Sequence, residues 1–361
     1  MRLFRDLNEV VQMRANSTQL HRPSKARLRD VAERAGVSVA TASRALAGNP
    51  KISAETSEAV YKAATEVGYR IPALGRPSKR KPTRLIGVVV GALHNRFMTI
   101  LLTHLHDALS EYGYQIMLLI DSMNDNQQIL AFRPLIDGYL DGLIFATATL
   151  DSPTVAEMQR RGIPTVLVVR SVDHLNVDVV EVDNEHAGAV AVEHLHSLGH
   201  RRIGFIMGPE NTSTSRDRTR GALAWCDRAG LPREMISVVW GEYTTESGYS
   251  NAVRLLGTDE PVSAIVAGND TIALGVLEAA KRQGVDVPGK LSIIGFDDIP
   301  LAGSPLVGLT SIRQPVEAMA KMAARRLVER IQGGGLKAST RDILPIQLVQ
   351  RDTTKRIDSL P

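Results

Sequence analysis

From Leu85 onward the chain alternates apolar runs with segments of helical length, and this rhythm most narrows what it can fold into. The runs are LIGVVVG (85–91), QIMLLID (115–121), GLIFAT (142–147), TVLVV (165–169), RIGFIM (202–207), ISVVW (236–240), SAIVAG (263–268) and LSIIGF (291–296). Segments such as 97–113, 184–198, 215–229, 244–257 and 270–283 lie between them. Continuously apolar strands alternating with helices make parallel sheets covered on both faces. The rhythm restarts near Asn184, so the expected body is two doubly wound lobes. Ligands of such folds bind where the C-terminal strand ends face a crevice.

The first 84 residues break the pattern and carry a different charge. They hold 17 Lys and Arg against 7 Asp and Glu, whereas residues 85–361 hold 26 against 32. A basic head on an acidic body points to nucleic acid as the partner of the head. With 43% hydrophobic and 23% charged residues, wholesale disorder is excluded. No apolar run nears the roughly 18 residues that cross a bilayer, and the N-terminus lacks an apolar secretion segment. A cytoplasmic location with no membrane contact is expected. The single cysteine, Cys226, allows no internal disulfide framework and reads as a small buried hydrophobe.

Within the head, residues 1–24 read as a mobile tail and 25–71 as three short helices. Leu28, Val31, Ala32 and Ala35 form one helical face that stops at Gly36. Ser38 is placed to cap a second helix, and Ser53 a third with a buried stripe of Val60, Ala63, Ala64 and Val67. Two short helices joined by Ala-Gly-Val-Ser, with a third across them, is the helix-turn-helix layout. On the second helix, Thr41, Ala42, Ala45 and Leu46 face inward, while Val39, Ala40, Ser43 and Arg44 face outward. In a major groove Arg44 can donate two hydrogen bonds to a guanine, and Val39 and Ala40 can touch thymine methyls.

The stretch DVAERAGVSVATASRAL resembles the DNA-binding head of the LacI/GalR family of bacterial transcription regulators, and the resemblance continues to about residue 354. It implies an all-α helix-turn-helix head, with Val39, Ala40 and Arg44 reading bases and Ser38, Thr41 and Ser43 completing the DNA-binding set alongside backbone amides on phosphates. Residues 72–84 then form a basic hinge linker. In the family this stretch makes a short helix whose leucine wedges into the minor groove. That position is Ser78 here, after Pro77, so a hinge helix is limited to about 72–76. Leu74, Arg76, Lys79 and Arg80 are the expected DNA contacts, with a smaller operator kink than in the relatives.

Polar residues stand just past the strand ends of the body: Asn95, Arg96 and Phe97; Arg216 and Arg218; Tyr243; Asn269; Asp297. Such groups suit vicinal hydroxyls, and an aromatic ring suits the apolar face of a sugar. Asn269 serves equally well as a helix cap. GNDTIALG, IGFDDIPLA and LTSIRQP resemble motifs of the family's effector domain, whose fold is that of periplasmic sugar-binding proteins. The resemblance puts ligand contacts on Phe97, Arg218, Tyr243, Asn269 and Asp297, and makes 85–354 the effector-binding and dimerisation domain, with later crossovers near 313 and 340. Asn95-Arg96-Phe97 departs from the usual Asn-Pro-Phe, and Arg96, Arg216 and Arg218 favour a sugar acid. The reading is a repressor that binds a near-palindromic double-stranded operator as a homodimer, controlled allosterically by a sugar or sugar acid.

Two other classes fit less well. A sugar-binding transport protein needs an export signal and no basic head. An α/β enzyme needs a phosphate loop or a catalytic pair, and GVDVPGKL (284–291) fails as a phosphate loop because Leu291 replaces the metal-binding hydroxyl and the segment enters a strand. No enzyme activity, cofactor or metal site is expected. His194, His196 and His200 read as a solvated helix face, since 194 and 196 are about 200° apart around a helix.

Overall fold

The computed structural model describes residues 27–46, 52–67, 69, 82–91, 93, 95–121, 136, 138–333 and 338–357. The chain divides into two compact units, a head ending at Lys79 and a body beginning at Arg80. The expected tail 1–24, the hinge segment 72–76 and Leu74, Arg76, Lys79 and Arg80 lie outside the described residues.

In the head, α1 (Leu28–Arg34), α2 (Val39–Leu46) and α3 (Ala54–Glu66) enclose Val31, Ala32, Ala42, Ala45, Leu46, Val60, Ala63 and Ala64. Most of these side chains are small, so the three helices approach closely. Ser38 Oγ accepts the Thr41 amide at 3.0 Å and Ser53 Oγ accepts that of Thr56 at 3.2 Å. Each hydroxyl satisfies an amide that has no partner within its own helix. Arg34 Nε donates to Glu66 Oε2 at 2.7 Å and ties α1 to the end of α3.

The body holds two six-stranded sheets. The first is ordered β11-β5-β4-β3-β1-β2 and is parallel throughout, with β1 Leu85–Val90, β2 Gln115–Ile120, β3 Gly142–Phe145, β4 Thr165–Val168, β5 Asp178–Val182 and β11 Arg341–Leu344. The second is ordered β12-β10-β9-β8-β6-β7, with β6 Ile203–Met207, β7 Ile236–Trp240, β8 Ala264–Ala267, β9 Ser292–Asp297, β10 Thr310–Arg313 and β12 Gln347–Val349. Only β12 runs antiparallel in it. Both sheets reverse strand order beside their first strand, the switch point that leaves an opening at the C-terminal edge.

Among the described residues the body's helices include α4 (Arg96–Glu111), α5 (Pro153–Arg160), α6 (Asn184–Ser197), α7 (Ser213–Arg228), α8 (Thr245–Leu256), α9 (Asp270–Arg282) and α10 (Val316–Gln332). The chain passes from the first lobe to the second between β5 and α6. It returns after β10, because α10 packs on β3, β4, β5 and α4. The third crossover, expected near 340, falls instead at residues 345–346. Strand β11 continues the first sheet to Leu344, pairing with β5, and Asp342 accepts both Arg326 Nε and Nη2 at 2.7 Å.

Strands β5, β10, β11 and β12 are not among the apolar runs read from the sequence. Charges or polar groups interrupt each of them: Asp178 and Glu181 in β5, Arg313 in β10, Arg341 and Asp342 in β11, Gln347 in β12. Buried Asp178 and Glu181 are held by partners, Asp178 Oδ1 accepting Arg330 Nη2 at 2.8 Å and Glu181 Oε1 accepting Arg341 Nε at 2.7 Å.

The histidines depart from expectation as well. His200 is fully buried, with Nδ1 2.9 Å from Ser263 Oγ and Nε2 2.9 Å from Ser292 Oγ and 3.2 Å from the Lys355 carbonyl. His194 Nε2 lies 3.0 Å from Thr354 Oγ1. The two rings pin the segment around Thr354 to the second lobe, because buried ring nitrogens need partners. Burial holds both rings below the usual imidazole pKa.

Candidate DNA-reading face and ligand crevice

Helix α2 separates its residues cleanly by face. Ala42, Ala45 and Leu46 are buried, Thr41 is half-buried, and Val39, Ala40, Ser43 and Arg44 are exposed. Val39 is 44% exposed. The Ser38 and Thr41 hydroxyls lie 2.8 Å apart and are used in capping the helix.

In the body, the strand ends of both lobes meet around two buried arginines. Arg218, on α7, donates from Nε to Asn184 Oδ1 at 3.0 Å and from Nη1 to the Gly268 carbonyl at 2.7 Å, with its guanidinium 4.4 Å from the centre of the Phe296 ring. Arg170 follows β4. It donates to the Thr147 carbonyl at 3.3 Å and lies 5.4 Å over the Tyr243 ring. Tyr243 in turn places its hydroxyl 2.8 Å from Thr214 Oγ1 and 2.7 Å from Ser215 Oγ. Burial acts to raise the Tyr243 phenol, but Arg170, Arg218 and the Ser215 and Thr214 hydroxyls together hold the pKa below the usual value.

Asp297 completes the cluster, its Oδ1 accepting Gln314 Nε2 at 2.7 Å. Burial pushes its carboxyl up to about 6, against the pull of Arg218, Gln314 and Arg170. Asp270, fully buried next to it, is raised well above the usual carboxylate range by burial and by the Asp297 charge. Asp270 has a structural task, accepting Ser311 Oγ at 2.7 Å and the Ile299 amide at 2.9 Å.

The backbone here is held in costly conformations. Asp297 and Asp298 have φ of 105° and 53°, and Val169, just before Arg170, has φ of 73°. A β-branched residue in the left-handed region is a true outlier. Such strain persists only where neighbours over-determine it, typically at binding sites. Asp298 is fixed by Arg313 Nε and Arg351 Nη2, both at 2.6 Å.

Two buried acceptors at the cluster have no hydrogen-bond partner among the described residues: Gln314 Oε1 and Thr147 Oγ1. A buried polar atom left unpaired costs about 1–3 kcal/mol, and a hydroxyl-bearing ligand would relieve it.

Of the residues singled out from the sequence, Arg218, Tyr243 and Asp297 come together. Asn269 gives its oxygen to the Ile272 amide at 2.9 Å, capping α9. Asn95 Oδ1 accepts the Phe97 amide at 3.1 Å, Arg96 is exposed, and Phe97 is packed in the core. Arg216, expected on the ligand, donates instead from Nε to Asp217 at 2.8 Å and from Nη1 to Asp173 at 2.6 Å. Its charge is matched on both edges, and the Asp173 contact joins the two lobes. Arg170, Thr147 and Gln314 were not singled out. Arg170 and Thr147 obey the strand-end rule used for the others, whereas Gln314 follows β10, which the apolar pattern does not reveal.

A helix-turn-helix head and a two-lobed, periplasmic-binding-protein-like body in one chain define a bacterial transcription regulator. Residues 27–71 match the family described as bacterial regulatory proteins, lacI family, and residues 192–354 match the periplasmic binding protein-like domain. Over 333 residues the chain is 34% identical to the HTH-type transcriptional repressor CytR of Escherichia coli strain K12, covering 92% of this chain and 97% of that one. A solved transcriptional regulator CelR–cellobiose complex is similar with a TM-score of 0.70 and 29% identity, over 91% of this chain and 100% of that one. A LacI family regulator from Enterococcus faecium with bound ribose has a TM-score of 0.68 and 25% identity, over 76% and 100%. The chain belongs to the LacI family of transcriptional regulators. It is a DNA-binding regulator and not an enzyme.

Proposed function

We propose that the chain is a repressor whose homodimer grips a near-palindromic operator in the cytoplasm, and that a sugar or sugar acid seated between the lobes changes that grip allosterically. The observation that carries the DNA-reading half is the outward face of α2, where Val39, Ala40, Ser43 and Arg44 all stand exposed over an otherwise closed helical core. A single head makes few phosphate contacts, so two heads on two half-sites are needed.

For the ligand, support comes from the strand-end cluster of Arg170, Arg218, Tyr243, Asp297 and Gln314, and from relatives solved with cellobiose and ribose. Arg216 no longer favours an acid, because Asp173 and Asp217 match its charge. Arg218 and Arg170 are the cations that would meet the carboxylate of an acid. Calorimetry with a sugar and its acid separates the two.

The deciding experiment selects a duplex from a random library with the wild-type protein and repeats the titration with Arg44→Ala. Loss of a bidentate guanine contact costs about 1–3 kcal/mol. Selectivity over scrambled DNA should therefore fall about 5- to 150-fold per half-site, and unchanged selectivity contradicts the reading.

A further inference from the structure

At the point where the linker enters the body, one carboxylate accepts three hydrogen bonds from two consecutive residues. Asp141, just before β3, accepts the Thr83 amide at 3.2 Å and the Thr83 hydroxyl at 2.9 Å on Oδ1, and the Arg84 amide at 2.9 Å on Oδ2. Its own amide donates to the Leu85 carbonyl at 2.8 Å, so the clamp is continuous with the start of β1. Arg84 has φ of 60°, a left-handed conformation that an arginine does not hold without restraint. Its carbonyl accepts the Gln115 amide at 2.8 Å, and its guanidinium lies 5.1 Å over the Tyr114 ring.

These contacts exceed what the sheet needs. Strand β1 is already paired on both sides, with β2 and with β3, and its core side chains are buried. Thr83 is only half-buried and Arg84 is exposed, so the clamp adds little to the core. Its effect is to fix the backbone at Thr83 and Arg84, just before β1.

We propose that Asp141 is a positioning residue for DNA binding: it sets the exit of the linker and so spares the protein from ordering that exit when the head engages DNA. This inference rests on the reading that the head binds DNA. A free backbone residue that must be ordered on binding costs about 5- to 30-fold in affinity. Charge-assisted bonds to backbone amides are also stronger than neutral ones, so removing the charge should loosen the clamp.

The test compares wild type, Asp141→Asn, Thr83→Val and Thr83→Ser as full-length chains. Affinity is measured for the duplex that wild type selects, with thermal melting and amide exchange at Thr83 and Arg84 followed in parallel. Asp141→Asn should weaken DNA binding about fivefold or more and speed exchange at both amides, while the melting of the body stays near wild type. Thr83→Val should do the same to a smaller degree, and Thr83→Ser, which keeps the hydroxyl, should match wild type. Equal DNA affinity in Asp141→Asn and wild type overturns the proposal, as does slow exchange that survives the substitution. A wild type that selects no duplex contradicts the function instead, and the exchange measurement still reads the clamp.

Discussion

Asp297 shows how much a single residue in the crevice has to reconcile. Its carboxyl is buried, its φ is left-handed, and its pKa is pushed up to about 6 by desolvation. A carboxyl that binds its proton more tightly folded than unfolded opposes folding once ionised. Stability from this group is therefore lost as pH rises from about 4 through about 6. The buried His194 and His200, held low by burial, act in the opposite sense, losing stability as pH falls below the usual imidazole value. They are common to wild type and Asp297→Asn, so the difference between the two isolates Asp297 together with its coupled neighbour Asp270. The melting temperature of wild type should rise relative to Asp297→Asn as pH drops from 7 to 5; a difference that stays flat contradicts the burial assigned to this carboxyl. The position of Asp297 was legible as a polar residue past an apolar run. Its shifted pKa was not, because the burial that raises it, and the opposing pull of Arg218, Gln314 and Arg170, come from other segments of the chain.

At the scale of elements, the placement of Arg218 depends on how closely α6 and α7 cross. A Cβ added at Gly188 would lie 1.9 Å from the Arg218 carbonyl oxygen, and one added at Gly221 would lie 1.9 Å from that of Glu185. Backbone meets backbone there, and no side chain can swing away. Gly188→Ala should therefore force the helices apart at about 1–3 kcal/mol, read by denaturant unfolding, and should weaken ligand binding in calorimetry by displacing Arg218. Unchanged stability would show that the crossing can relax. The eight strands readable in the sequence, from edge strands β2 and β7 to interior ones such as β1 and β6, each carry a mostly apolar run of four or more residues, as in LIGVVV and IGFIM. Strands β5, β10, β11 and β12 were not readable, since Asp178, Glu181, Arg313, Arg341 and Gln347 leave them no continuous apolar run. Likewise the ion pair of Arg216 with Asp173 brings together residues 43 positions apart, which no local spacing announces.

For the whole molecule, the consequential feature is that the lobes share one chain three times over and touch across the crevice. The Leu150 amide donates to the Asn211 carbonyl, the Ser171 amide to Ser213 Oγ, both at 2.9 Å, and Arg216 pairs with Asp173. Several of these contacts sit on the loops that carry Thr147 and Arg170 and on the first turn of α7, so a ligand seated as proposed would act on the same loops that join the lobes. Only the first lobe continues into the linker, through Thr83 and Arg84. A ligand that favours one lobe arrangement can therefore alter DNA binding by its differential affinity for the two arrangements and by no more than that. Coupling of this kind is typically about 1–3 kcal/mol, or 5- to 150-fold. The most direct measurement is the affinity of the full-length protein for its selected duplex, by fluorescence anisotropy, with and without each member of a panel of sugars and sugar acids. At least one compound that raises the melting temperature should shift the duplex Kd about 5- to 150-fold. A compound that occupies the crevice and stabilises the protein, yet leaves the duplex Kd unmoved, would contradict the account.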